Sequence, residues 1–190
     1  MRIIGGRHRG RKISCPTGNH TRPSTDRIKE NLFNILMGID LNLFEGKSIL
    51  DLFSGTGALG LEALSRGAAS CVFVENFTPA INSIKDNIKA LGFTENTTIL
   101  KQDASICDRL LKDIDHKFDI IFADPPYGKY DVPSIFNNLT DARLVEDGAL
   151  FILEESKVID ISFPHGFNLL KKNDYGVTSI YISRFIGKGR

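Results

Sequence analysis

The sequence has few cysteines that could form disulfides, and it lacks long apolar segments that could anchor it in a membrane. Only three of its 190 residues are cysteines, Cys15, Cys71 and Cys107, and they lie far apart and are odd in number. This pattern argues against a disulfide framework or a cysteine metal site and is typical of a reducing cytosol. No apolar run is long enough to cross a membrane, and the first residues lack the apolar core of a signal peptide. We therefore expect a cytoplasmic protein without a membrane-bound part.

The four histidines do not cluster either. His8, His20, His116 and His165 are scattered along the chain, so we expect no metal site. Internal repeats and low-complexity tracts are absent, and hydrophobic residues make up 42% of the sequence and charged residues 25%. This composition predicts a globular chain that buries a stable core, and we expect it to act as a monomer.

The net charge of +1 conceals an uneven distribution. Residues 1–30 hold eight basic groups against two acidic ones, a net charge of +6, whereas the remaining 160 residues sum to −5. Four of the basic groups lie close together, Arg7, Arg9, Arg11 and Lys12. A basic arm on a mildly acidic body favours a nucleic-acid partner held at one end, although a solvated tail would have the same composition.

The first 40 residues are predicted to form a small extension of the main domain. Short segments at 2–4 and 11–13 flank a glycine-rich turn and indicate a β-hairpin. Apolar residues at helical spacing then predict a helix that Ser24 or Thr25 would cap and that would end near Gly38.

Residues 41–190 alternate between strands and helices. Apolar runs predict seven strands, at 48–53, 71–75, 97–101, 118–123, 149–154, 168–173 and 178–185. Helices are predicted at 58–66, 79–91 and about 134–139, with another short one between the third and fourth strands. This alternation favours a Rossmann-like α/β fold with a mostly parallel sheet. Tyr175-Gly176 is typical of a hairpin turn, which would make the last strand antiparallel.

A glycine loop follows the first strand of this domain. Gly55, Gly57 and Gly60 form a G-x-G-x-x-G pattern between a strand and a helix. Such glycines allow a tight turn and let a ligand approach the backbone closely. The pattern alone is equally typical of nicotinamide and flavin enzymes, and a tight turn without a ligand would also explain it.

Three acidic residues stand at the carboxyl ends of successive predicted strands. Asp51 could bind a cationic amino-acid ligand, whereas it would repel the pyrophosphate of a dinucleotide. Glu75 could hold both hydroxyls of a ribose, and Asp103 could accept from an adenine amino group while the Ala104 amide donates to the ring. Open α/β sheets bind ligands at this edge. The three acidic residues together therefore favour a ligand site over the alternative that each only caps a helix or a loop.

The fourth predicted strand ends in Asp124-Pro125-Pro126-Tyr127, the segment that indicates the chemistry. Two consecutive prolines impose an extended backbone and remove two amide donors. The Asp124 side chain and the Pro125 carbonyl could orient an exocyclic amino group of a base for methylation, while Tyr127 offers a flat face for the base. A rigid turn capped by Asp124 is the alternative. No cysteine nucleophile stands here, which disfavours methylation of pyrimidine C5.

With these segments placed, the chain resembles the RsmD family, the bacterial 16S rRNA guanine-N2 methyltransferases. The most specific matches are N-terminal, at residues 1–6, 10–12, 21–27 and 30–36. Residues 51–67, the Asp-Pro-Pro-Tyr segment and Tyr175-Gly176 also match, although many amino-methyltransferases share the first two. Phe53, Ser54 and Thr56 depart from the small residues that usually fill this loop in the family.

The resemblance implies a class I methyltransferase that uses S-adenosyl-L-methionine and releases S-adenosyl-L-homocysteine. Its substrate would be the N2 of one guanine in 16S rRNA, within the small ribosomal subunit. Matching positions imply a cofactor site formed by Asp51, Phe53, Ser54, Gly55, Gly57, Glu75, Asn76, Asp103 and Ala104. They imply catalytic positions at Asp124, Pro125 and Tyr127, and phosphate contacts from Arg7, Arg9, Arg11, Lys12 and Arg22. Arg22 and its neighbour Pro23 would lie near the methionine end of the cofactor.

Two other functions fit parts of the sequence. An adenine-N6 or cytosine-N4 DNA methyltransferase would use the same Asp-Pro-Pro-Tyr segment, but it would usually carry a target-recognition region for which this chain leaves little room. A non-catalytic RNA-binding or ribosome assembly factor could keep the fold, but it would not need Asp51, Asp103 and Asp124.

Overall fold

A seven-stranded β-sheet forms the centre of the molecule in the computed structural model, which describes residues 1–16, 26–111 and 117–187. The strands are β1 Ser48–Leu52, β2 Ser70–Glu75, β3 Thr97–Lys101, β4 Phe118–Ala123, β5 Val145–Ser156, β6 Phe167–Tyr175 and β7 Thr178–Phe185. They lie in the order β3-β2-β1-β4-β5-β7-β6. Strands β1 to β5 all run parallel to one another. Strand β7 pairs antiparallel with both β5 and β6. The predicted α/β fold, with an antiparallel last strand, is confirmed.

The described helices cover both faces of this sheet. They are α1 Asp26–Ile39, α2 Ala58–Ser65, α3 Thr78–Leu91, α4 Asp108–Leu111 and α5 Val132–Asp141. On one face, α1, α2 and α3 bury Phe33, Leu61 and Ile84, and on the other α5 buries Phe136 and Leu139. Strands buried on both faces require nearly continuous apolar sequence, which is why short apolar runs were sufficient to predict them.

The direction in which the chain crosses the sheet reverses at β1. From β1 the chain moves outward to β2 and β3, and it then returns to β4 on the other side of β1. The connections that leave β1 and β4 therefore diverge, which opens a crevice above the carboxyl ends of these two strands. Open α/β sheets bind their ligands at such a point.

The hairpin predicted at the N-terminus consists of a single antiparallel bridge, between Arg2 and Lys12. The chain between them makes a short 3-10 turn, Gly6–His8, rather than two regular strands. The pairing is short because the amides of Ile4 and Gly5 donate to the Glu62 carboxylate, and the His8 amide to the Ser65 hydroxyl, instead of to carbonyls of the opposite segment. Ile3 and Ile13 are buried in the core beneath α1, α2 and α3. The division of the chain at about residue 40 stays a prediction.

The predicted limits of the other elements agree with the structure to within two residues, except for β5. This strand was predicted at 149–154 and spans Val145–Ser156. Phe118 of β4 pairs with Val145 but Ile120 pairs with Leu150, so the strand bulges between these positions. The bulged residues are exposed and carry no apolar pattern, which hides the start of the strand in the sequence. The predicted caps of α1, Ser24 and Thr25, lie outside the described residues.

The prediction of a hairpin turn near the C-terminus is also confirmed. Gly176 has a φ of +62° between β6 and β7 and makes the hairpin turn that the sequence indicates. Cys71 and Cys107 are buried core residues, and burial raises the pKa of the Cys107 thiol to about 12. Such a thiol is a poor nucleophile at neutral pH.

Within the described residues, no helix has the length and apolar character needed to cross a membrane.

Candidate active site

A crevice of about 520 Å³ opens at the carboxyl edge of the sheet, between the segments that follow β1, β2, β3 and β4. Two-thirds of the residues predicted to bind cofactor or substrate line it: Phe53, Gly55, Glu75, Asn76, Ala104, Asp124, Pro125 and Tyr127. The others lie behind or beside it: Asp51, Ser54, Gly57 and Asp103. The fold therefore brings the glycine loop and the Asp-Pro-Pro-Tyr segment to one site.

The glycine loop presents its backbone to the crevice at Gly55. A Cβ added to Gly55 would meet only the Phe53 carbonyl oxygen, at 4.0 Å, so the space in front of this residue is open. Phe53 itself has a φ of +56°, a left-handed conformation that is uncommon for a bulky residue. Ser54 ties the loop to the sheet, because its hydroxyl donates to the Asp51 carbonyl at 2.5 Å and its amide to the Val74 carbonyl at 3.1 Å.

The other two glycines of the loop serve the start of α2. Gly57 has a φ of +77° at the residue that precedes the helix, a conformation that favours glycine. A Cβ on Gly60 would lie 2.5 Å from both the Cys71 sulfur and the Phe73 ring. Gly60 therefore allows α2 to pack closely on β2, whereas Gly55 leaves room for a ligand.

The Glu75 carboxylate is held at the end of β2 by three backbone amides. Oε2 accepts from the Gly55 amide, and Oε1 accepts from the amides of Asn76 and Phe77, each at 2.8 Å. A carboxylate has about four acceptor positions, so capacity for ligand hydroxyls remains. Glu75 is therefore pre-positioned at the crevice and also fixes the glycine loop.

Asp51 lies beneath the glycine loop and not on the crevice wall. Its side chain is 2% exposed, and Oδ2 accepts from the Gly60 amide at 3.0 Å. Burial raises the pKa of the Asp51 carboxyl to about 8; the nearby Glu75 charge adds to the rise and the Gly60 hydrogen bond opposes it. The predicted contact of Asp51 with a cationic ligand stays a prediction.

Asp103 closes the turn after β3. One carboxylate oxygen accepts from the Ser105 amide at 2.8 Å and from its hydroxyl at 2.7 Å, and these hydrogen bonds lower the pKa of Asp103. The other oxygen accepts from the Tyr130 hydroxyl at 3.3 Å. The neighbours of Asp103, Gln102 and Ala104, line the crevice. Asp103 thus joins the turn to the segment that follows Tyr127.

The Asp-Pro-Pro-Tyr segment forms the opposite wall of the crevice. Asp124 is half-buried and Pro125 is buried. The Tyr127 hydroxyl donates to Glu154 Oε1 at 2.9 Å and bonds to the Thr178 hydroxyl at 2.7 Å. Burial raises the pKa of Tyr127, and the nearby carboxylates of Glu154 and Asp124 add to the rise. The phenol therefore stays neutral and its ring is held in place at the crevice.

Seven residues that line the crevice were not predicted as site residues: Val74, Phe77, Ala80, Gln102, Pro126, Tyr130 and Glu154. Glu154 carries the same signal as Glu75, an acidic residue near the carboxyl end of a parallel strand, so it could have been found. Tyr130 lies three residues after Tyr127, and its ring contacts Phe53 with centroids 4.7 Å apart. No sequence signal distinguishes Phe77 and Ala80 from apolar residues that face the core.

The basic arm, residues 1–16, is fixed to α2 by a buried carboxylate. The Glu62 side chain is fully buried and accepts from the amides of Ile4 and Gly5, both at 2.7 Å. It also pairs with Arg66 at 2.9 Å and with Lys29 of α1 at 3.6 Å. Lys29 is 1% exposed, and burial lowers the pKa of its ammonium group. The arm is therefore a packed part of the protein and not a solvated tail.

The basic side chains of the arm are exposed but do not lie at the crevice. Arg7 extends over the Phe93 ring at 4.7 Å, and the His8 amide donates to the hydroxyl of Ser65, the last residue of α2. The crevice lies at the other end of α2, which at 1.5 Å per residue is about 12 Å long. The remaining cations, Arg9, Arg11 and Lys12, are exposed along the arm. The predicted phosphate contact Arg22 lies outside the described residues.

The described histidines form no metal site. His8 packs edge-on against Phe93 with centroids 4.9 Å apart, and burial together with Arg7 lowers its pKa. His165 is exposed, and His20 and His116 lie outside the described residues. In the described part of the chain, no three His, Cys, Asp or Glu side chains converge as metal ligands.

Comparison with known proteins assigns the chain to a family. The family model described as Conserved hypothetical protein 95 matches residues 1–184. The chain is 32% identical over 183 residues to YlbH of Bacillus subtilis, a provisionally assigned rRNA methyltransferase, with 96% of this chain and 97% of the relative covered. It is 32% identical over 180 residues to ribosomal RNA small subunit methyltransferase D of Haemophilus influenzae, with 94% and 91% covered.

A solved structure agrees with this assignment. The protein yhhF of Escherichia coli, a provisionally assigned methyltransferase, has a TM-score of 0.82 and 29% identity, with 98% of both chains covered. The sheet order and the antiparallel last strand are thus those of a methyltransferase fold. The chain belongs to the Conserved hypothetical protein 95 family, which is the RsmD family that its sequence resembles.

Proposed function

We propose that this protein transfers a methyl group from S-adenosyl-L-methionine to the exocyclic N2 of a guanine in 16S rRNA, acting as a monomer on the small ribosomal subunit. The observation that carries the proposal is that Asp124-Pro125-Pro126-Tyr127 lines the same crevice as Gly55 and Glu75. The proposed cofactor site and the proposed acceptors for an amino group would therefore adjoin. The Haemophilus influenzae relative is named as a methyltransferase of small-subunit ribosomal RNA, which supports this choice of substrate.

The crevice fits a nucleoside that carries an amino-acid tail. Its volume of about 520 Å³ is in the range of small-molecule sites. The Glu75 carboxylate would accept from the ribose hydroxyls, and Phe77 and Ala80 supply an apolar wall for adenine. Asp103 with the Ala104 amide would bind the polar edge of that base. Asp51 would attract the ammonium group of the tail from its position beneath the glycine loop.

S-Adenosyl-L-methionine supplies an electrophilic methyl group when it is bound. The protein must then orient a weak nucleophile, because the lone pair of an exocyclic amine is delocalised into the ring. The Asp124 carboxylate and the Pro125 carbonyl would accept the two amino hydrogens and favour a pyramidal nitrogen whose lone pair is available for methylation. Tyr127 stacks on the extruded base, and the proton released from nitrogen passes to Asp124 and on to solvent.

The arm would bind rRNA phosphates outside the target nucleotide. Arg7, Arg9, Arg11 and Lys12 are exposed, and the tip of the arm lies at the end of α2 remote from the crevice. An isolated base cannot reach both places, but a folded RNA can. Arg22 is proposed to join these contacts. The separation of arm and crevice thus favours an RNA substrate that extends well beyond the target nucleotide.

The test is a comparison of substrates with identification of the product. The protein is incubated with labelled S-adenosyl-L-methionine and, separately, small ribosomal subunits from cells that lack the activity, naked 16S rRNA and double-stranded DNA. Methylated nucleosides are then identified by mass spectrometry after digestion. We expect N2-methylguanosine from the subunits, in amounts approaching one per subunit.

Three outcomes would contradict the proposal. N6-methyladenine or N4-methylcytosine from DNA would assign the protein to the DNA methyltransferases that use the same segment. N6-methyladenosine from the subunits would place the wrong base in the crevice. Subunit binding without methyl transfer would indicate an assembly factor.

A further inference from the structure

Glu154 extends the acceptor wall that Asp124 begins. β4 and β5 are parallel and pair Ala123 with Leu153, so the next residues, Asp124 and Glu154, are neighbours across the carboxyl ends of the two strands. Both line the crevice, together with Tyr127. Two acidic side chains therefore line the crevice from the ends of adjacent strands, where a base is proposed to enter.

The Glu154 carboxylate is held in a fixed position by Tyr127. The single hydroxyl hydrogen of Tyr127 donates to Glu154 Oε1 at 2.9 Å. The Thr178 hydroxyl, 2.7 Å away and fully buried, therefore donates to the Tyr127 oxygen. Beneath them Glu155 is 1% exposed and accepts from the Gly128 amide, which fixes the loop after Tyr127. A pre-positioned acceptor discriminates between ligands more strongly than a mobile one.

The hydrogen-bonding edges of the bases differ in what they offer to such a wall. Guanine carries two adjacent donors, the N2 amino group and the ring N1–H. Adenine and cytosine carry an amino group beside a ring nitrogen that has a lone pair and no hydrogen. Two neighbouring carboxylates can accept from both guanine donors, but the second carboxylate would repel the ring lone pair of adenine or cytosine.

We propose that Glu154 is the residue that selects guanine, with its carboxylate accepting from N1–H while Asp124 holds the N2 amino group. This inference rests on the proposed function and adds the identity of the group that reads the base. It explains how a segment also suited to adenine or cytosine would be restricted to guanine. If Glu154 only accepted the hydrogen bond from Tyr127, its substitution would not change which base is methylated.

The test uses 2,6-diaminopurine, which keeps the N2 amino group of guanine but has a lone pair at N1. The methylated guanine is first mapped, and small subunits are reconstituted from ligated 16S rRNA with guanine or 2,6-diaminopurine at that position. We expect the wild-type protein to prefer guanine by at least ~10-fold in kcat/KM. Glu154→Gln should reduce this preference to ~3-fold or less, because an amide can donate to the N1 lone pair as well as accept from N1–H.

Two further variants separate selection from positioning. Glu154→Asp keeps the charge, so it should retain a preference for guanine at a reduced rate. Tyr127→Phe removes the hydroxyl that bonds to Glu154, so it should slow the reaction with both bases while the preference stays above that of Glu154→Gln. Cofactor affinity and thermal melting of each variant, measured beside the kinetics, show that it is folded.

The measured outcomes distinguish an error in the role of Glu154 from an error in the proposed function. If the wild-type protein methylates both bases equally well, or if Glu154→Gln keeps the wild-type preference, Glu154 does not select guanine although the protein is still an N2 methyltransferase. If Glu154→Gln does not fold, loss of the guanine preference in a folded Glu154→Asp would equally contradict the inference. If guanine in the reconstituted subunits gains no N2 methyl group, the proposed function itself is wrong.

Discussion

The side chain of Asn87 in α3 binds the backbone of Ser14 through both of its polar atoms. Its Oδ1 accepts from the Ser14 amide at 2.7 Å, and its Nδ2 donates to the Ser14 carbonyl at 3.0 Å. The same Nδ2 also donates to the Thr56 carbonyl in the glycine loop, at 3.1 Å. Asn87 is 3% exposed, so these bonds are shielded from water. One buried side chain therefore joins the basic arm to the loop that faces the cofactor crevice.

This connection predicts that Asn87→Ala weakens both binding functions. The substitution leaves backbone groups of Ser14 and Thr56 without their partner, which should lower the free energy of unfolding by about 1–3 kcal/mol. Because the loop loses a support, we expect cofactor affinity to fall several-fold in calorimetric titration, and subunit affinity to fall as well. Asn82→Ala is the matched control, since Asn82 is exposed on the same helix. Unchanged cofactor affinity in Asn87→Ala would show that the connection is passive.

The buried ion pairs around Glu62 predict a large loss of stability. Glu62→Gln leaves Lys29 and Arg66 without their buried counter-charge, which should cost roughly 3 kcal/mol of unfolding free energy. Urea denaturation of the variant measures this loss directly. Glu146→Gln is the control, because Glu146 and Lys117 form an exposed pair whose loss should change stability by about 0.5 kcal/mol or less. Equal effects of the two substitutions would contradict the anchoring role of Glu62.

The fold was largely predictable because the strands β1, β2, β4 and β7 are buried on both faces. Continuous apolar runs such as 118–123 then mark the strands, and Gly176 marks the last hairpin. The N-terminal hairpin was less predictable. Its amides bond to Glu62, a residue some 57 positions away in sequence, and no local pattern announces such a partner. The bulged start of β5 was hidden for the opposite reason, since exposed polar residues are compatible with any structure.

The elevated pKa of Asp51 predicts a specific pH dependence of stability. Between its ordinary value of 3.8 and about 8, the folded protein holds a proton on Asp51 that the unfolded chain has released. This contribution to stability is full below pH 4 and is lost as the pH rises towards 8, with a slope of up to about 1.4 kcal/mol per pH unit.

The side chain that Asp51→Asn introduces cannot titrate. The free energy of unfolding of this variant, relative to that of the wild-type protein, should therefore increase between pH 5 and pH 7.5. Urea midpoints of both proteins at these two pH values provide the measurement. Asp86→Asn, on the exposed side of α3, should show no such trend relative to wild type. A constant difference between Asp51→Asn and the wild-type protein would mean that Asp51 is ionised throughout.

The arm predicts a salt-dependent contribution to rRNA binding. Replacing Arg9 and Arg11 with alanine removes two exposed cations, so subunit affinity should fall and the slope of log affinity against log salt should decrease by ~2. Cofactor affinity should be unchanged, because these side chains do not line the crevice. The double variant Lys117→Ala and Arg143→Ala removes the same charge outside the arm and should keep the wild-type slope. An unaltered slope for the arm variant would contradict phosphate binding by these residues.

The site was predictable where a carboxylate or a glycine follows a strand, and less so elsewhere. Glu75, Gly55 and Asp124 line the crevice because parallel strands deliver their carboxyl ends to one edge. The same rule predicts that Asp51 also lines the crevice, but its hydrogen bond with the Gly60 amide holds it beneath the glycine loop. Glu154 also ends a predicted strand and lines the crevice, but it was not predicted as a site residue. Which face of a strand end meets the crevice depends on twist and packing that the sequence pattern alone does not contain.

The most direct test of the account concerns Asp124. Asp124→Ala removes the carboxylate that is proposed to orient the guanine amino group, and Asp86→Ala serves as an exposed control. Single-turnover methyl transfer to small ribosomal subunits is measured with each protein saturated with S-adenosyl-L-methionine, and the product is identified as a nucleoside. We expect N2-methylguanosine from the wild type and the control, and a rate lower by at least ~10²-fold from Asp124→Ala at unchanged cofactor affinity. A near-normal rate for Asp124→Ala, or a product other than N2-methylguanosine from the wild type, would contradict the account.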